Sequence, residues 1–470
     1  SNVQLTWIVD AYTVALAATV LPMGSLGDRF GRRTILLLGT AIFGAAALCA
    51  GFQSTPGGII AARAVMGIGA AMIMPGTLST ITATFPPEKR ARGVATWAGF
   101  AGAGAVAGLL AAGLLLEVGD WSSIFFMSAV LAAISGVAAL VFAPNTVDED
   151  HVGLDLPGAA LSAIGIGSFT YGIIHGGEDG WSAPSVLAAL GVGVVALAGF
   201  ALWELRQKHP LLDVRVFRNR WFSMGALAVT SQFLAQLGFL FIAMQYLQLI
   251  LGFSPLQSAL GFIPLAVAVL PMSQVAPIVM SKIGAKPVMS IGLALLAVGL
   301  WLMSRLTVDS TYPRFLGALI VLGIGVAWTA TPATTAITSS LPRAKQGVAS
   351  AVNDTTRELG SALGVAIMGT VYSSKYGDAM TPFVEGLPTT AREAVLRSPA
   401  AGMHVAEQTG AQGAALITHI ENAFMAGAPG AIFVAALLLT AVAITVAIVA
   451  PRSLPVETEI DAEEGLEATI

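Results

Sequence analysis

Long apolar runs alternate with short polar connections along the whole chain. We count thirteen runs, and most of them exceed the roughly 18 residues expected of a membrane-spanning helix. Polar positions collect between the runs instead of alternating within them, so the pattern predicts an all-α integral membrane protein. The runs lie near 5–24, 34–52, 57–84, 93–116, 121–143, 157–176, 184–205, 221–250, 255–280, 287–304, 312–338, 347–372 and 422–450.

The connection between the first two runs has the sequence GSLGDRFGRR, residues 24–33. Glycine has no Cβ and enters left-handed conformations easily, so Gly24, Gly27 and Gly31 predict a tight turn. Asp28 lies among three basic residues, Arg29, Arg32 and Arg33. Basic residues beside a span often only fix its orientation, but that role needs neither the aspartate nor the glycine spacing.

Composition supports the membrane assignment and narrows the function. Hydrophobic residues make up 56% of the chain and charged residues 11%, whereas soluble domains average about 25% charged. The sequence offers no metal-ligand cluster, no nucleotide-binding loop and no pair of histidines on one helical face. We therefore expect no enzyme, no metal, no cofactor and no nucleic-acid partner, and a monomer that has the lipid bilayer and small molecules as its partners.

Basic residues are distributed unevenly between the two sets of connections. Sixteen Lys and Arg lie on the side of segment 24–33 or at the carboxyl end, against five on the other side. This asymmetry predicts that segment 24–33 and the carboxyl terminus are cytoplasmic. We expect a multi-pass protein of a plasma (inner) membrane, in a bacterium.

Segment 24–33, together with the preceding run WIVDAY at residues 7–12, resembles the major facilitator superfamily. Within it the chain resembles the fourteen-helix drug:proton antiporters, the quaternary-ammonium exporters of the QacA and LfrA type. The resemblance implies a major facilitator fold of two six-helix bundles with an inserted two-helix hairpin. Because only thirteen runs are visible and the chain starts at Ser1, we expect the first helix of this family to be missing.

The order of runs predicts four regions. An amino-terminal transmembrane bundle covers 1–146, an inserted hairpin with a basic linker 147–220, and a carboxyl-terminal bundle 221–451 with a long extracellular loop at 373–421. An acidic, solvated tail follows at 452–470. Residues 276–286 repeat segment 24–33 in the second half, with Ser281 in place of the aspartate. We expect the gating charge to rest on Asp28 alone.

The twelfth run holds the densest set of ionisable residues inside a span, in the sequence NDTTRELG at 353–360. Such residues are costly in a bilayer, which makes them functional candidates by default. Asp354 and Glu358 share a helical face, and Arg357 can reach Asp354. A structural ion pair would need only one carboxylate, so the second acid favours a site that binds protons or a cation, to which we also assign Asn353.

Resemblance to the quaternary-ammonium exporters implies that Asp354 and Glu358 bind protons and cationic drugs. Those exporters lack the arginine, and Arg357 would partly neutralise the site. They include a member with an aspartate, linked to divalent substrates, where this chain has Val269. We therefore expect monovalent lipophilic cations or neutral compounds as substrates.

Two further ionisable residues of the first half are candidates for proton coupling. The sequence around Arg63 resembles the family motif in which an intramembrane arginine near glycines couples proton movement, although Met66 replaces the usual glutamine. Arg63 could instead serve a structural role, paired with Asp10 or with an acid of the missing helix. Asp10 could be a solvated residue at the end of its span or a structural or coupling residue.

The fourth run resembles the antiporter motif, normally Gly-Pro-x-x-Gly-Gly, at Gly108, Ala112 and Gly113. The proline is absent, so the kink that it would impose is lost, and antiport is less strongly implied than transport. Four residues near the eighth run are candidates for lining a ligand pocket, although each could equally face lipid or the core: Gln232, Gln236, Met244 and Gln245.

Together these features predict a proton-coupled multidrug efflux transporter that works by alternating access. Asp28 would latch the cytoplasmic side by pairing with Arg92 or with a neighbour across the bundle. A narrow-specificity transporter of a metabolite or lipid on the same fold is the alternative, and a membrane enzyme or sensor is a further one, of a different class.

Overall fold

The computed structural model describes residues 2–144, 146, 155–178, 180–408 and 413–452. The regular elements in these ranges are all helical. Short 3₁₀ helices at Val214–Arg218 and Arg343–Lys345 precede α8 and α13. The α-helices are α1 Asn2–Phe30, α2 Arg32–Gly51, α3 Pro56–Thr84, α4 Pro87–Val118, α5 Ser122–Phe142, α6 Leu156–Glu178, α7 Pro184–Glu204, α8 Arg220–Leu249, α9 Pro255–Leu260, α10 Ile263–Ile283, α11 Ala285–Met303, α12 Tyr312–Thr338, α13 Gln346–Val384, α14 Thr389–Arg397, α15 Pro399–Gln408 and α16 Gly413–Val449.

Each of the thirteen predicted spans corresponds to a long helix, when α9 and α10 are counted together as one interrupted span. Among the described residues, twelve of these helices are long and apolar enough to cross a membrane. The thirteenth, α13, has 39 residues and is long enough, but its ionisable residues make it more polar. The all-α membrane fold predicted from the sequence is confirmed.

The turn at residues 24–33 is shorter than predicted. α1 continues through Gly24 and Gly27 to Phe30, and α2 begins at Arg32. Only Gly31 has a positive φ, of 97°, because the other two glycines lie inside a helix that already satisfies their backbone. Gly284, between α10 and α11, has a φ of 87°, so the second half repeats the one-glycine connection.

The segment 373–421 is largely helical, where the sequence predicted a long loop. α13 extends to Val384, and α16 already begins at Gly413. Within this segment α14 spans Thr389–Arg397. It is fixed to α13 by the Tyr376 hydroxyl, which donates a hydrogen bond to the Val395 carbonyl over 3.0 Å.

The two halves of the chain meet along two seams. At the first seam α1 packs on α13, and at the second α4 packs on α10. The hairpin α6–α7 contacts α1 and α13 through α6, so it touches one helix of each half. The region boundaries stay a prediction, and residues 147–154 of the linker and 453–470 of the tail lie outside the described residues.

Candidate substrate and coupling site

The polar face of α13 forms the centre of the site. The Asp354 side chain is 0% exposed, and the Arg357 Nη1 donates to its Oδ1 over 3.3 Å. Glu358 lies one turn beyond Asp354, is partly exposed, and forms no ion pair within the described part of the chain. As predicted from the sequence, Arg357 forms an ion pair with Asp354, and Glu358 forms none among the described residues.

Several buried polar atoms near this face have no hydrogen-bond partner among the described residues. Asn353 accepts a hydrogen bond from the Thr334 hydroxyl over 3.0 Å, but its Nδ2 donates none. The second carboxylate oxygen of Asp354 accepts none, and neither does the Oε1 of Gln232. Unsatisfied buried polar groups are costly and rare in proteins. A polar face of this kind is suited to a polar or charged ligand.

Aromatic rings from two other helices enclose Arg357. Its Cζ lies 4.6 Å from the centroid of the Phe233 ring on α8 and 5.2 Å from that of the Trp97 ring on α4. Both distances fall within the range of cation–π attraction. The Trp97 indole is held by a 3.2 Å hydrogen bond to Thr77 on α3. Sequence analysis missed Trp97, since nothing local relates an isolated aromatic residue on α4 to a charge on α13.

Arg63 is connected to the α13 acids through Tyr12. The Arg63 guanidinium donates to the carbonyl of Ile8 over 2.8 Å, and its Cζ lies 4.8 Å from the centroid of the Tyr12 ring. Tyr12 in turn is electrostatically coupled to Glu358. Arg63 therefore contacts the backbone of α1 rather than Asp10. The structure brings Arg63 and Tyr12 together, and Tyr12 had no role in the sequence prediction.

Asp10 is buried and faces the inserted hairpin. Its carboxylate lies 3.8 Å from Nε2 of His175 on α6. The His175 ring packs against Tyr171 at 4.2 Å between centroids and against Trp7 at 5.9 Å. Asp10 is thus not a solvated end residue, and the alternative pairing with Arg63 is not formed. Of the two readings that the sequence left open for Asp10, the structural or coupling role fits its position.

Asp28 joins the two halves at the first seam. Its carboxylate accepts hydrogen bonds from the backbone N–H of Gly347 over 2.8 Å and of Val348 over 3.1 Å. These amides belong to the first turn of α13, where free N–H groups and the helix dipole favour an anion. Asp28 therefore acts as an N-terminal cap supplied by the other half of the molecule.

Arg32 completes this contact, which we call the latch and define by Asp28, Arg32, Gly347 and Val348. Its guanidinium reaches Asp28 Oδ1 over 2.6 Å and donates to the carbonyl of Arg343 over 3.1 Å. Of the two partners predicted for Asp28, Arg92 is wrong, since its side chain is exposed, whereas the neighbour across the bundle is the first turn of α13. The remaining basic residues lie elsewhere: Arg29 over the Phe30 ring and Arg33 bonded to the Leu140 carbonyl.

Beside the latch, α1 crosses α13 so closely that position 24 of α1 requires glycine. A Cβ on Gly24 would lie 2.5 Å from both the Ala351 Cβ and the Gly347 carbonyl oxygen, whereas one on Gly27 would meet nothing within 4 Å. We expect Gly24→Ala to separate α1 from α13 and to destabilise the fold by about 1–3 kcal/mol. The matched Gly27→Ala variant should be neutral or stabilising by about 0.5–1 kcal/mol. Thermal unfolding of both purified variants checks this, and equal effects would contradict the crossing.

The antiporter motif on α4 lies on a loosely packed face. A Cβ on Gly108 would have open space around it, and one on Gly113 would make only ordinary contact with Leu256 at 3.7 Å. Ala112 is partly exposed. Close helix packing at this motif is not observed in the described residues, so its role stays a prediction.

The four pocket candidates on α8 separate into two groups. Gln232 and Gln236 lie within three positions of Phe233, and the side-chain oxygen of each is buried without a hydrogen-bond partner among the described residues. Gln245 bonds the carbonyl of Phe241 on its own helix over 3.3 Å, and Met244 packs against the apolar core. Gln236 and Gln245 are nine positions apart, which corresponds to roughly 13 Å along a helix. The two groups therefore lie at different heights along α8.

Comparison with known proteins agrees with this architecture. Residues 1–365 match the Major Facilitator Superfamily. The multidrug efflux pump LfrA of Mycolicibacterium smegmatis is 32% identical over 450 residues, covering 93% of this chain and 87% of LfrA. The methyl viologen resistance protein SmvA of Salmonella typhimurium is 32% identical over 378 residues, which are 80% of this chain and 76% of SmvA.

A third relative is the tetracenomycin C resistance and export protein of Streptomyces glaucescens. It is 31% identical over 379 residues, covering 80% of this chain and 70% of that protein. Among solved structures, the proton:xylose symporter XylE superimposes with a TM-score of 0.61 at 14% identity, covering 98% of this chain and 89% of XylE. At that identity the likeness supports the fold alone.

Proposed function

The chain belongs to the Major Facilitator Superfamily, and we propose that this multi-pass membrane transporter is a proton-coupled exporter of lipophilic, often cationic compounds. Three of its relatives carry names that refer to tetracenomycin C resistance and export, multidrug efflux or methyl viologen resistance. Protons are the proposed coupling ion, a bacterial plasma membrane the location, and a monomer the working unit.

The observation that carries the proposal is the pair of acids on α13. Asp354 is buried against Arg357, whereas Glu358 is partly exposed and unmatched by a cation in the described chain. An acid without a fixed counter-charge in a membrane span can bind either a proton or a substrate cation, and the two compete. This competition is the simplest physical basis for exchange of drug against protons.

Arg63 and Tyr12 extend this site toward the first half. A proton arriving at or leaving Glu358 changes the field at Tyr12, whose ring lies under the Arg63 guanidinium. Arg63 holds α1 through the Ile8 carbonyl, so a change of charge on α13 would be felt at a contact that positions α1. We therefore assign Arg63 a coupling role.

The closed latch corresponds to the state of an alternating-access cycle in which the cytoplasmic side is closed. It closes the end of the first seam that the excess of lysine and arginine assigns to the cytoplasm. With the latch closed, the polar face of α13 would be open only toward the opposite side. Separating Asp28 from the amino end of α13 would open the site inward, where substrate is collected.

Reconstituted protein tests the proposal directly. We expect proteoliposomes with an acidic lumen to accumulate ethidium in exchange for protons, and a protonophore to stop the accumulation. Empty liposomes measure leakage, and an imposed sodium gradient without a pH gradient controls for the coupling ion. Absence of ethidium transport by folded protein would contradict the multidrug proposal and favour the narrow-specificity transporter.

A further inference from the structure

An apolar groove runs along the exposed side of α11 and α16. Its volume is about 480 Å³, and its floor is formed by the buried alanines Ala297, Ala436 and Ala443. On α16 the lining extends from Phe433 to Ala447, fourteen positions that correspond to roughly 21 Å along a helix. The hydrocarbon core of a bilayer is about 30 Å thick, so the groove crosses more than half of it.

The polar side chains of the groove already have hydrogen-bond partners. The Thr440 hydroxyl donates to the carbonyl of Ala436 over 2.8 Å, and the Ser290 hydroxyl donates to that of Lys286 over 2.9 Å. The other lining residues carry no polar side-chain atom except the indole nitrogen of Trp301. A wall of this kind offers its occupant apolar contact and few hydrogen bonds, which suits a hydrocarbon chain.

Three basic residues gather at one end of the groove. Lys286 lies in the first turn of α11, and its Nζ donates to the carbonyl of Ile448 on α16 over 3.4 Å. Lys282 is in the last turn of α10, and the Arg452 carbonyl oxygen would lie 3.6 Å from a Cβ on Gly284. None of the three forms an ion pair within the described chain. The excess of lysine and arginine assigns this end to the cytoplasm.

We propose that the groove binds an anionic phospholipid of the cytoplasmic leaflet, with one acyl chain between α11 and α16 and the phosphate at the three basic residues. Anionic lipids give the cytoplasmic leaflet its negative surface potential, and basic pockets between transmembrane helices on that side bind their headgroups. The groove is separate from the polar face of α13, so the inference does not depend on the proposed substrate or coupling ion.

Charge and polarity favour this occupant over two others. At the opposite end of the groove, Arg305 lies over the Trp301 ring with its Cζ 5.3 Å from the centroid, so that arginine already has an aromatic partner. The tail at 453–470 has acidic residues but no long apolar run, so its sequence offers the cations a counter-charge and the groove no filling. An anionic phospholipid with its headgroup at the cytoplasmic end supplies both.

Native mass spectrometry of the delipidated full chain tests the headgroup. We expect one phosphatidylglycerol to bind more tightly than phosphatidylcholine with the same acyl chains. Lys282→Gln and Lys286→Gln should each weaken phosphatidylglycerol binding by roughly fivefold, the usual effect of one basic residue near an anionic lipid surface, and should leave phosphatidylcholine binding unchanged. Arg305→Gln removes a cation from the opposite end and should change neither affinity.

A second pair of variants tests the groove itself. Ala294 is exposed and lines the groove, so the ring of Ala294→Phe should occupy the path of the acyl chain. We expect it to weaken the binding of both lipids by at least about tenfold, the loss that follows from displacing two methylene groups. Ala441→Phe places the same ring at an exposed position of α16 outside the groove and should leave both affinities unchanged.

Four results would overturn the inference. They are equal affinity of wild type for the two lipids, an unchanged preference in the glutamine variants, lipid binding that Ala294→Phe leaves intact, and a dimer that Ala294→Phe dissociates, which would assign the groove to a second copy of the chain. Because Lys286 also connects α11 to α16, that variant could fail to fold. Lys282→Gln, at an exposed position, then decides the headgroup test alone.

Discussion

Glu358→Gln is expected to reduce proton-driven ethidium transport to the level of empty liposomes while leaving the protein folded. The glutamine keeps the size of the side chain but can neither release a proton nor attract a cation. Because Glu358 forms no ion pair among the described residues, its neutralisation leaves no charge unmatched. The melting temperature should therefore remain close to that of wild type.

Asp354→Asn should abolish the same proton-driven ethidium transport. Unlike Glu358→Gln, it should also lower the free energy of unfolding. It leaves the Arg357 guanidinium largely buried without its carboxylate, and breaking one partner of a buried pair costs about 3–5 kcal/mol. Asp378→Asn is the matched control, since Asp378 is on the same helix but exposed. Transport by Glu358→Gln at the wild-type rate would contradict the assignment of the proton site.

Asp28→Asn is expected to open the latch. The asparagine preserves the shape but loses the negative charge that faces the first turn of α13, and it leaves Arg32 buried and unmatched. A loss of about 3–5 kcal/mol from the closed arrangement is enough to change its population greatly. The two halves should then separate at the Asp28 end of the first seam.

Cysteine labelling measures this separation. Ser350 lies fully buried on α13 one turn beyond Gly347, and Ser350→Cys in a Cys49→Ser background gives a single thiol. We expect maleimide to label it at least about tenfold faster when Asp28→Asn is added, since accessibility follows the open population. Arg92→Gln is the control, because Arg92 takes no part in the latch. An unchanged labelling rate in Asp28→Asn would contradict the role of Asp28 in holding the latch closed.

Local sequence features predicted the helices well. Apolar length determines a span almost independently of its neighbours, so each predicted run became a long helix. The ion pair of Asp354 with Arg357 also follows from spacing, because residues three apart on a helix are adjacent. The turn within residues 24–33 was also predicted, although it needs only Gly31 and not Gly24 or Gly27, because α1 continues to Phe30.

Contacts between distant parts of the chain were not predictable in this way. Asp28 was expected to pair with Arg92 or with a neighbour across the bundle, and its partner across the bundle is the first turn of a helix 319 positions away in the sequence. The rings around Arg357 come from α4 and α8, and only the packing of the two halves brings these helices beside Arg357. The helices after α13 were not predicted in full, because prolines and polar residues interrupt the apolar pattern of that segment.

The hairpin α6–α7 gives the two seams different exposure to lipid. At the α1–α13 seam, Trp181 of the hairpin donates a hydrogen bond to Thr370 on α13, while His175 faces Asp10 on α1. At the α4–α10 seam, Gln274 bonds Thr96 across the halves at exposed positions. We expect a lipophilic molecule dissolved in the bilayer to meet the hairpin on the α1–α13 flank and the exposed pair of Gln274 and Thr96 on the α4–α10 flank. We expect lateral entry from the membrane to favour the α4–α10 flank.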